Sequence, residues 1–348
     1  MRFMKGALAG AVFAAGMTMG MLGAAATAGA QTIELKLAHF LPTINGMHSD
    51  FLEPWARELE KRTNGKVKVT IYPAGTQLAN IAKLYDSVRS GVVDIAHGLR
   101  GIPRGRFPRT EIIELPFMTG SADAASRALW AVYPKYLKDE YPGVKVLALH
   151  AHNGGLIHTR DKQVVTMSDL KGLRIRFPSA PIKSMLESLG AVPQGLPPGK
   201  VYENTQKGVI DGTVFPWDPM NSFKLSEVMN YHLDMGGIYT VSFWFAMNEK
   251  KYNSLPADVR QIIDDMSGDN LVGKFGPWWD KWDSWGIEKV KAKGATVTKL
   301  GPDEAARWKE TTTPIVEEWL SSMEANGISD AREIYDAMKA EIAKVEGN

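Results

Sequence analysis

Residues 168–218 read SDLKGLRIRFPSAPIKSMLESLGAVPQGLPPGKVYENTQKGVIDGTVFPWD, which packs a strand, a helix, a short helix and a second strand into one stretch. In the first strand Leu173, Ile175 and Phe177 alternate with Arg174 and Arg176, so the two arginines share the face opposite the apolar set. Pro178 stops it. Ser179 suits the cap of the next helix and Pro181 its first turn, and Ile182, Met185, Leu186 and Leu189 recur at i, i+3, i+4, i+7 before Gly190. A Pro-Pro-Gly turn at 197–199 leads to a short helix with Val201, Tyr202 and Gln206, and Gly208 breaks it. Val209, Ile210, Val214 and Phe215 then form a buried strand, with Pro216, Trp217 and Asp218 just past its end. Ligands of open α/β sheets gather at the carboxyl ends of strands, which makes Arg176, Phe177, Phe215, Trp217 and Asp218 candidate binding residues. On periodicity alone Arg176 also fits a solvent-facing strand position.

Upstream, Ile33, Leu35 and Leu37 alternate with polar neighbours in a strand over 33–40, with His39 and Phe40 at its carboxyl end. Residues 47–62 place Phe51, Leu52, Trp55 and Leu59 on one helical face. A strand with Val67, Val69 and Ile71, a helix with Ile81, Leu84, Tyr85 and Val88, and a strand over 92–96 complete a βαβαβ run, which calls for a largely parallel, doubly wound sheet. The loop 98–116 is rich in Gly, Pro and Arg. Arg104, Arg106 and Arg109 read as solvated, whereas Arg100, nearest a strand end, is a candidate for the cleft. A helix over 122–136 and a strand over 144–149 follow.

The 348 residues suffice for two domains, and 44% hydrophobic with 23% charged residues is ordinary for a soluble globular protein. Arg2 and Lys5, an apolar run from Ala7 to Leu22 and the triplet Ala28-Gly29-Ala30 predict a cleaved export signal over residues 1–30. Without Arg2 and Lys5 the 41 basic residues fall to 39, matching the 39 acidic ones, so nucleic acid is not an expected partner and neither is direct membrane insertion. The chain has no cysteine, so it has neither disulfide nor thiolate metal site. A freely diffusing periplasmic protein is expected.

Downstream of 149, HAHNGGLIHTR at 150–160 looks like a crossing between domains, because a glycine pair interrupts strand-like residues; Asn153 within it is a further candidate. His150, His152 and His158 are compatible with metal ligation, but with no nearby carboxylate set they read first as hydrogen-bonded structural groups. The second domain ends through 231–237, and the apolar strand 238–248, carrying the candidate Phe243, returns to the first. A helix with Val259, Ile262, Ile263 and Met266 is expected to kink at Gly276-Pro277, after which Trp278, Trp282 and Trp285 form a packing stripe. Two helices over 303–326 and 330–345 close the chain. The expected division is 31–150 plus about 238–285 as domain I and 151–237 plus about 286–348 as domain II, with a ligand cleft between them.

There is no G-x-S-x-G elbow, P-loop, H-E-x-x-H or placed G-x-G-x-x-G, which disfavours an enzyme. An arginine and aromatics at strand ends of two crossing α/β domains suit a hinged binder, because a guanidinium presents two parallel donors to a carboxylate.

The segments LKGLRIRFP, LESLGAVP and KVYENTQKGVIDG, with the earlier PAGTQL and GRFP, resemble the substrate-binding proteins of TRAP transporters, the DctP type. The resemblance spans most of the mature chain. It implies a two-domain, type II-like periplasmic binding protein with hinge crossings and a long kinked helix, which closes on an organic acid and delivers it to TRAP membrane permease subunits. It makes Arg176 the carboxylate grip, and the ion that some keto-acid binders of the family hold near a strand-end Trp and carboxylate would fall to Trp217 and Asp218; no cofactor, no metal and no catalytic residue is expected here. Two departures stand out. Where family members binding dicarboxylates or sialic acid read D-G-x-x-N-P, this chain has Phe215 before Pro216, and Leu156 replaces a second arginine. Those changes favour a monocarboxylate with an aromatic, α-keto or α-hydroxy remainder. The alternatives are a C4-dicarboxylate receptor of the same family and a metal-dependent hydrolase using His150 and His152.

Overall fold

The computed structural model describes residues 32–347, and the expected export signal lies outside them. Among the described residues eleven strands form two sheets: β1 (Ile33–His39), β2 (Val67–Tyr72), β3 (Ile95–Leu99), β4 (Val144–Ala151), β5 (Leu156–Thr159), β6 (Arg174–Phe177), β7 (Val192–Gly195), β8 (Gly212–Phe215), β9 (Tyr231–Asp234), β10 (Ser242–Asn248) and β11 (Thr296–Lys299). The first sheet has the order β2-β1-β3-β10-β4 and the second β11-β9-β5-β8-β6-β7.

In the first sheet β1 runs parallel to β2 and β3, as the βαβαβ pattern requires, but β10 inserts antiparallel between β3 and β4. The sheet is therefore mixed. All seven residues of β10 are buried, which explains its continuous apolar run. β3 begins three residues later than expected: past Gly91, which has φ 80°, Val92 and Val93 bond back to Ser87, and Val92 is exposed. In the second sheet β6 is parallel to β7 and β8, and β5 is antiparallel to β8 and β9.

The two sheets are joined by residues 152–155 and 235–241. These segments pass so closely that a Cβ on Gly154 would lie 2.5 Å from the Cα of Gly237. The glycine pair noted in the sequence is thus a steric requirement of the crossing.

The chain after β10 corrects two expectations. Instead of one helix kinked at Gly276-Pro277 there are three, Ala257–Asp265, Asp269–Val272 and Phe275–Lys293; the breaks fall at Gly268, with φ 58°, and Gly273, and Pro277 sits in the first turn of the third, where a missing N–H costs nothing. An internal proline, Pro314, occurs instead in the helix Pro302–Ala325. That helix packs on Ala180–Ser188 beside the second sheet. The last helix, Ala331–Glu346, lies against Ala122–Val132 of the first, with Ile334, Met338 and Ile342 buried at a spacing of four and Arg109 paired to Asp330 at 3.0 Å. It does not accompany the second sheet with the rest of 286–348.

Candidate functional site

The carboxyl ends of β1, β3 and β4 and the start of β10 lie at one edge of the first sheet, and the carboxyl ends of β6 and β8 lie at one edge of the second. Between these edges is a cavity with an empty volume of about 460 Å³, mouth included. The first sheet and its crossings contribute Phe40, Leu41, Leu99, His152, Tyr239, Val241 and Phe243, and the second contributes Arg176, Pro178, Val214, Phe215 and Pro216. Asn45, Met47, Pro198, Asp218, Pro219, Phe223 and Trp279 complete the lining.

Arg176 is fully buried on β6. Its Nε donates to Leu196 O at 2.9 Å, one terminal nitrogen makes a long contact of 3.4 Å with Val214 O, and Nη2 has no partner. Its guanidinium carbon lies 4.4 Å from the centre of the Phe215 ring, a cation–π contact. Among the described residues no carboxylate pairs with it. Burial, with Arg104 adding repulsion and Tyr239 opposing it, brings its pKa down to about 9. Arg174, two residues earlier on the same face, is instead half-exposed and paired to Asp211 at 2.6 Å.

The Tyr239 hydroxyl and Trp279 Nε1 are also buried without partners. Burial raises the Tyr239 phenol well above its ordinary range, against the pull of Arg176, so it is a neutral donor. His152 points a ring nitrogen at Asn153 O, and burial lowers its pKa to about 4, which leaves it neutral. The cavity therefore presents one uncompensated cation, several neutral polar atoms and the carboxyl of Asp218, whose pKa burial pushes up to about 7, within a largely aromatic and aliphatic wall.

Five of the ten candidates, Arg176, Phe215, Asp218, Phe40 and Phe243, line this cavity, and five do not. Phe177 points to the opposite face of β6 from Arg176, as strand alternation demands, and its ring lies under Arg104 at 4.6 Å. Arg104 is thus stacked on a ring rather than merely solvated. Trp217 turns away at the end of β8 and packs against His158 and His232, with centroids 5.6 and 5.4 Å apart. His39 bonds His48 at 3.0 Å. Arg100 is enclosed by Glu111 at 2.7 Å and Glu114 at 2.5 Å, so its charge is satisfied internally. Asn153 is held by Asp280, Asp283 and the Ala122 amide.

Of the three histidines weighed as metal ligands, His150 shares a hydrogen bond of 2.9 Å with His97, and His158 one of 2.7 Å with His232. Tyr239, Asn45, Met47 and Trp279 were not legible. Tyr239 precedes β10 by three residues, and the strand-end rule that selected Phe243 reaches it if extended into the crossing. Trp279 is the neighbour of the expected stripe, one position off its face. Asn45 has no sequence signal, because its bond to Asp218 spans 173 residues.

Two α/β sheets holding a cavity with a buried, unpaired arginine at their facing strand ends define a small-molecule binding protein. The chain belongs to the bacterial extracellular solute-binding proteins, family 7, the DctP family, which it matches over residues 37–322, and it is a TRAP substrate-binding protein. It is 36% identical to a TRAP solute-binding protein from Rhodoferax ferrireducens, whose structure holds copurified benzoate; the TM-score is 0.86, with 90% of this chain and 98% of that one covered. It is also 36% identical, with a TM-score of 0.87 and coverage of 90% and 99%, to a marine metagenome TRAP solute-binding protein specific for aromatic acid ligands, solved with 3-hydroxybenzoate. The C4-dicarboxylate-binding periplasmic protein DctP of Rhodobacter capsulatus is 28% identical over 307 residues, covering 86% of this chain and 90% of its own length.

Proposed function

We propose that this chain is the receptor component of a TRAP transporter that captures an aromatic monocarboxylate in the cavity and delivers it to membrane permease subunits. The observation that carries this reading is the buried, unpaired guanidinium of Arg176 in a cavity walled largely by aromatic and aliphatic side chains. An incoming carboxylate supplies the missing counter-charge and accepts from Nη2, and the Tyr239 hydroxyl offers a second donor. Phe40, Phe215, Phe243 and Trp279 supply faces and edges for a ring. The bound acids of the Rhodoferax and metagenome relatives support the same class.

In this reading the two sheets are the cores of two lobes, 31–150 with about 238–285 and 151–237 with about 286–325, and the last helix straps back to the first. The crossings at 152–155 and 235–241 act as hinges that open and close the cavity. The protein acts as a receptor and not an enzyme, in the periplasm after removal of residues 1–30; no helix among the described residues is long and apolar enough to cross a membrane.

The dicarboxylate function of the Rhodobacter relative would require a second cation, and Arg176 is the one arginine or lysine among the described residues lining the cavity. A second buried carboxylate would be left unpaired, at a large desolvation cost. Titration calorimetry with benzoate, phenylacetate, succinate and sialate tests the assignment. Aromatic acids should bind and the other two should not, and Arg176→Ala should weaken aromatic-acid binding by about a hundredfold or more, the scale of breaking a buried charge pair. Preference for succinate, or full affinity in Arg176→Ala, would overturn it.

A further inference from the structure

The polar groups of the cavity fall into two sets. In one, Arg176 reaches in from β6 beside the Phe215 ring, and Tyr239 and His152 come from the crossings with ring centroids 5.8 Å apart. Asp218 belongs to the other: its surroundings are Asn45, Ser222 and Asp283. It opens the short helix Asp218–Ser222 directly after β8 and is 2% exposed. Its Oδ2 accepts from Asn45 Nδ2 and from Ser222 Oγ, each at 2.8 Å, and its backbone N–H donates to Asp283 Oδ1 at 2.8 Å. Every polar atom of the residue except one is thus engaged. Its Oδ1 is buried and has no partner.

We infer, on top of the function proposed above, that Asp218 Oδ1 receives a hydroxyl group on the ligand ring, so that the preferred substrates are hydroxylated aromatic monocarboxylates. Asn45 and Ser222 position the carboxyl by fixing Oδ2, which leaves a single oxygen to meet the ligand. The number and kind of free atoms select a hydroxyl over its rivals. An ammonium brings three donors to one acceptor and buries two of them unsatisfied. A second carboxylate is repelled. A carbonyl can only accept and therefore needs a protonated Asp218. A hydroxyl donates to Oδ1 when the carboxyl is ionised and accepts from it when the carboxyl is protonated, so it is satisfied in both states. The two sets also bear on the position on the ring. Arg176 lies on β6 and Asp218 three residues beyond the end of β8, so in this inference the two groups meet different parts of the ligand and a hydroxyl away from the carboxylate suits Asp218 better than one beside it.

Calorimetry on the full mature chain with benzoate and its 2-, 3- and 4-hydroxy derivatives tests this. The 3- or 4-hydroxy acid should bind roughly tenfold more tightly than benzoate, the scale of one hydrogen bond to a buried carboxyl. Asp218→Val should abolish the ratio between hydroxy-acid and benzoate affinity, whatever it does to the affinity for either acid. Asp218→Asn, which retains an oxygen for Asn45 and Ser222 and turns an amide N–H₂ to the cavity, should extend a gain over benzoate to the 3- or 4-formyl acid, which can accept from that N–H₂ but cannot donate to the wild-type carboxylate; this variant decides the matter if the valine variant does not fold. No gain for either hydroxy acid in the wild type, a gain that survives unchanged in Asp218→Val, or no improvement of the formyl acid in Asp218→Asn would overturn the inference without touching benzoate binding by the wild type. Failure of wild type to bind any of these acids would overturn the function proposed above as well.

Discussion

Among the described residues two arginines, Arg100 and Arg176, are completely buried, and they differ in what surrounds the charge. Arg100 is held by Glu111 and Glu114; burial alone would lower its pKa, but the two carboxylates outweigh that and hold it above its ordinary value. Arg176 has carbonyl oxygens and a phenyl ring, and its pKa falls to about 9. Removing each charge should therefore move stability in opposite directions. Arg100→Leu leaves two carboxylates buried together and should cost roughly 3–5 kcal/mol. Arg176→Leu removes a charge that the ligand-free protein does not compensate, and it should raise unliganded stability by about 1–2 kcal/mol, the usual gain when a binding site is relieved of strain. Urea unfolding without ligand measures both, and a destabilised Arg176→Leu protein would show that the charge is compensated without a ligand.

At the scale of elements, the helix Phe275–Lys293 holds the second strand end in place. Gly286 on that helix faces the backbone of Trp217, and a Cβ there would lie 1.9 Å from the Trp217 carbonyl oxygen. Asp283, one turn earlier, accepts the Asp218 amide. The helix thus sets both the position and the orientation of the residues that follow β8. Alanine has the better helix propensity by about 1 kcal/mol, but here the obstacle is main chain, which cannot rotate away as a side chain would. Overpacking prevails, so Gly286→Ala should destabilise the protein by about 1–3 kcal/mol net. Because the displaced segment includes Asp218, ligand affinity should fall too. Unfolding and calorimetry on the same variant check this, and a stabilised variant with full affinity would show that the two elements are not locked together.

At the scale of the whole molecule, seven histidines are buried or nearly so, and six form the pairs His39–His48, His97–His150 and His158–His232. In each pair one ring donates and the other accepts, and burial lowers all of their pKa values, to about 3 for His39 and His97 and about 4 for His152 and His232. Their folded values lie below the unfolded value of about 6.5, so the unfolded chain binds more protons as pH falls. Their contribution to stability is full above that value and is lost as pH falls toward 3–4. Asp218 and Asp283, raised by burial to about 7 and about 6, act in the opposite sense, since the folded state holds their protons in that window. Burial raises Glu111 and Glu140 as well, and the seven histidines still outnumber these four carboxyls, each group being worth up to about 1.4 kcal/mol per pH unit. Stability should fall steeply between pH 6.5 and 5. Urea midpoints at pH 7.5, 6.5 and 5 measure it, and a flat profile would mean that the pairs open or accept protons without cost.

Local chemistry was enough to place most elements and the anchor. The alternation around Ile175, the helical spacing from Ile182 to Leu189 and the proline and glycine stops depend on neighbours a few residues apart, and they put Arg176 and Phe215 at strand ends before any fold was known. The family followed from the spaced segments of that same stretch. What the chain alone left undecided was which strand-end residues face one another. Arg100 and Arg176 occupy equivalent places in the sequence pattern, yet only the carboxylates of the following loop, folded back over Arg100, make one structural and leave the other open to a ligand. Phe177 and Trp217 were lost to the cavity by the direction of a strand face and of a turn, whereas Tyr239, Trp279 and Asn45 were brought to it by crossings and a helix from distant parts of the chain. A side chain's local periodicity is a property of its neighbours in sequence. Its partner across a cavity is a property of two sheets and the glycine crossings that hold them edge to edge.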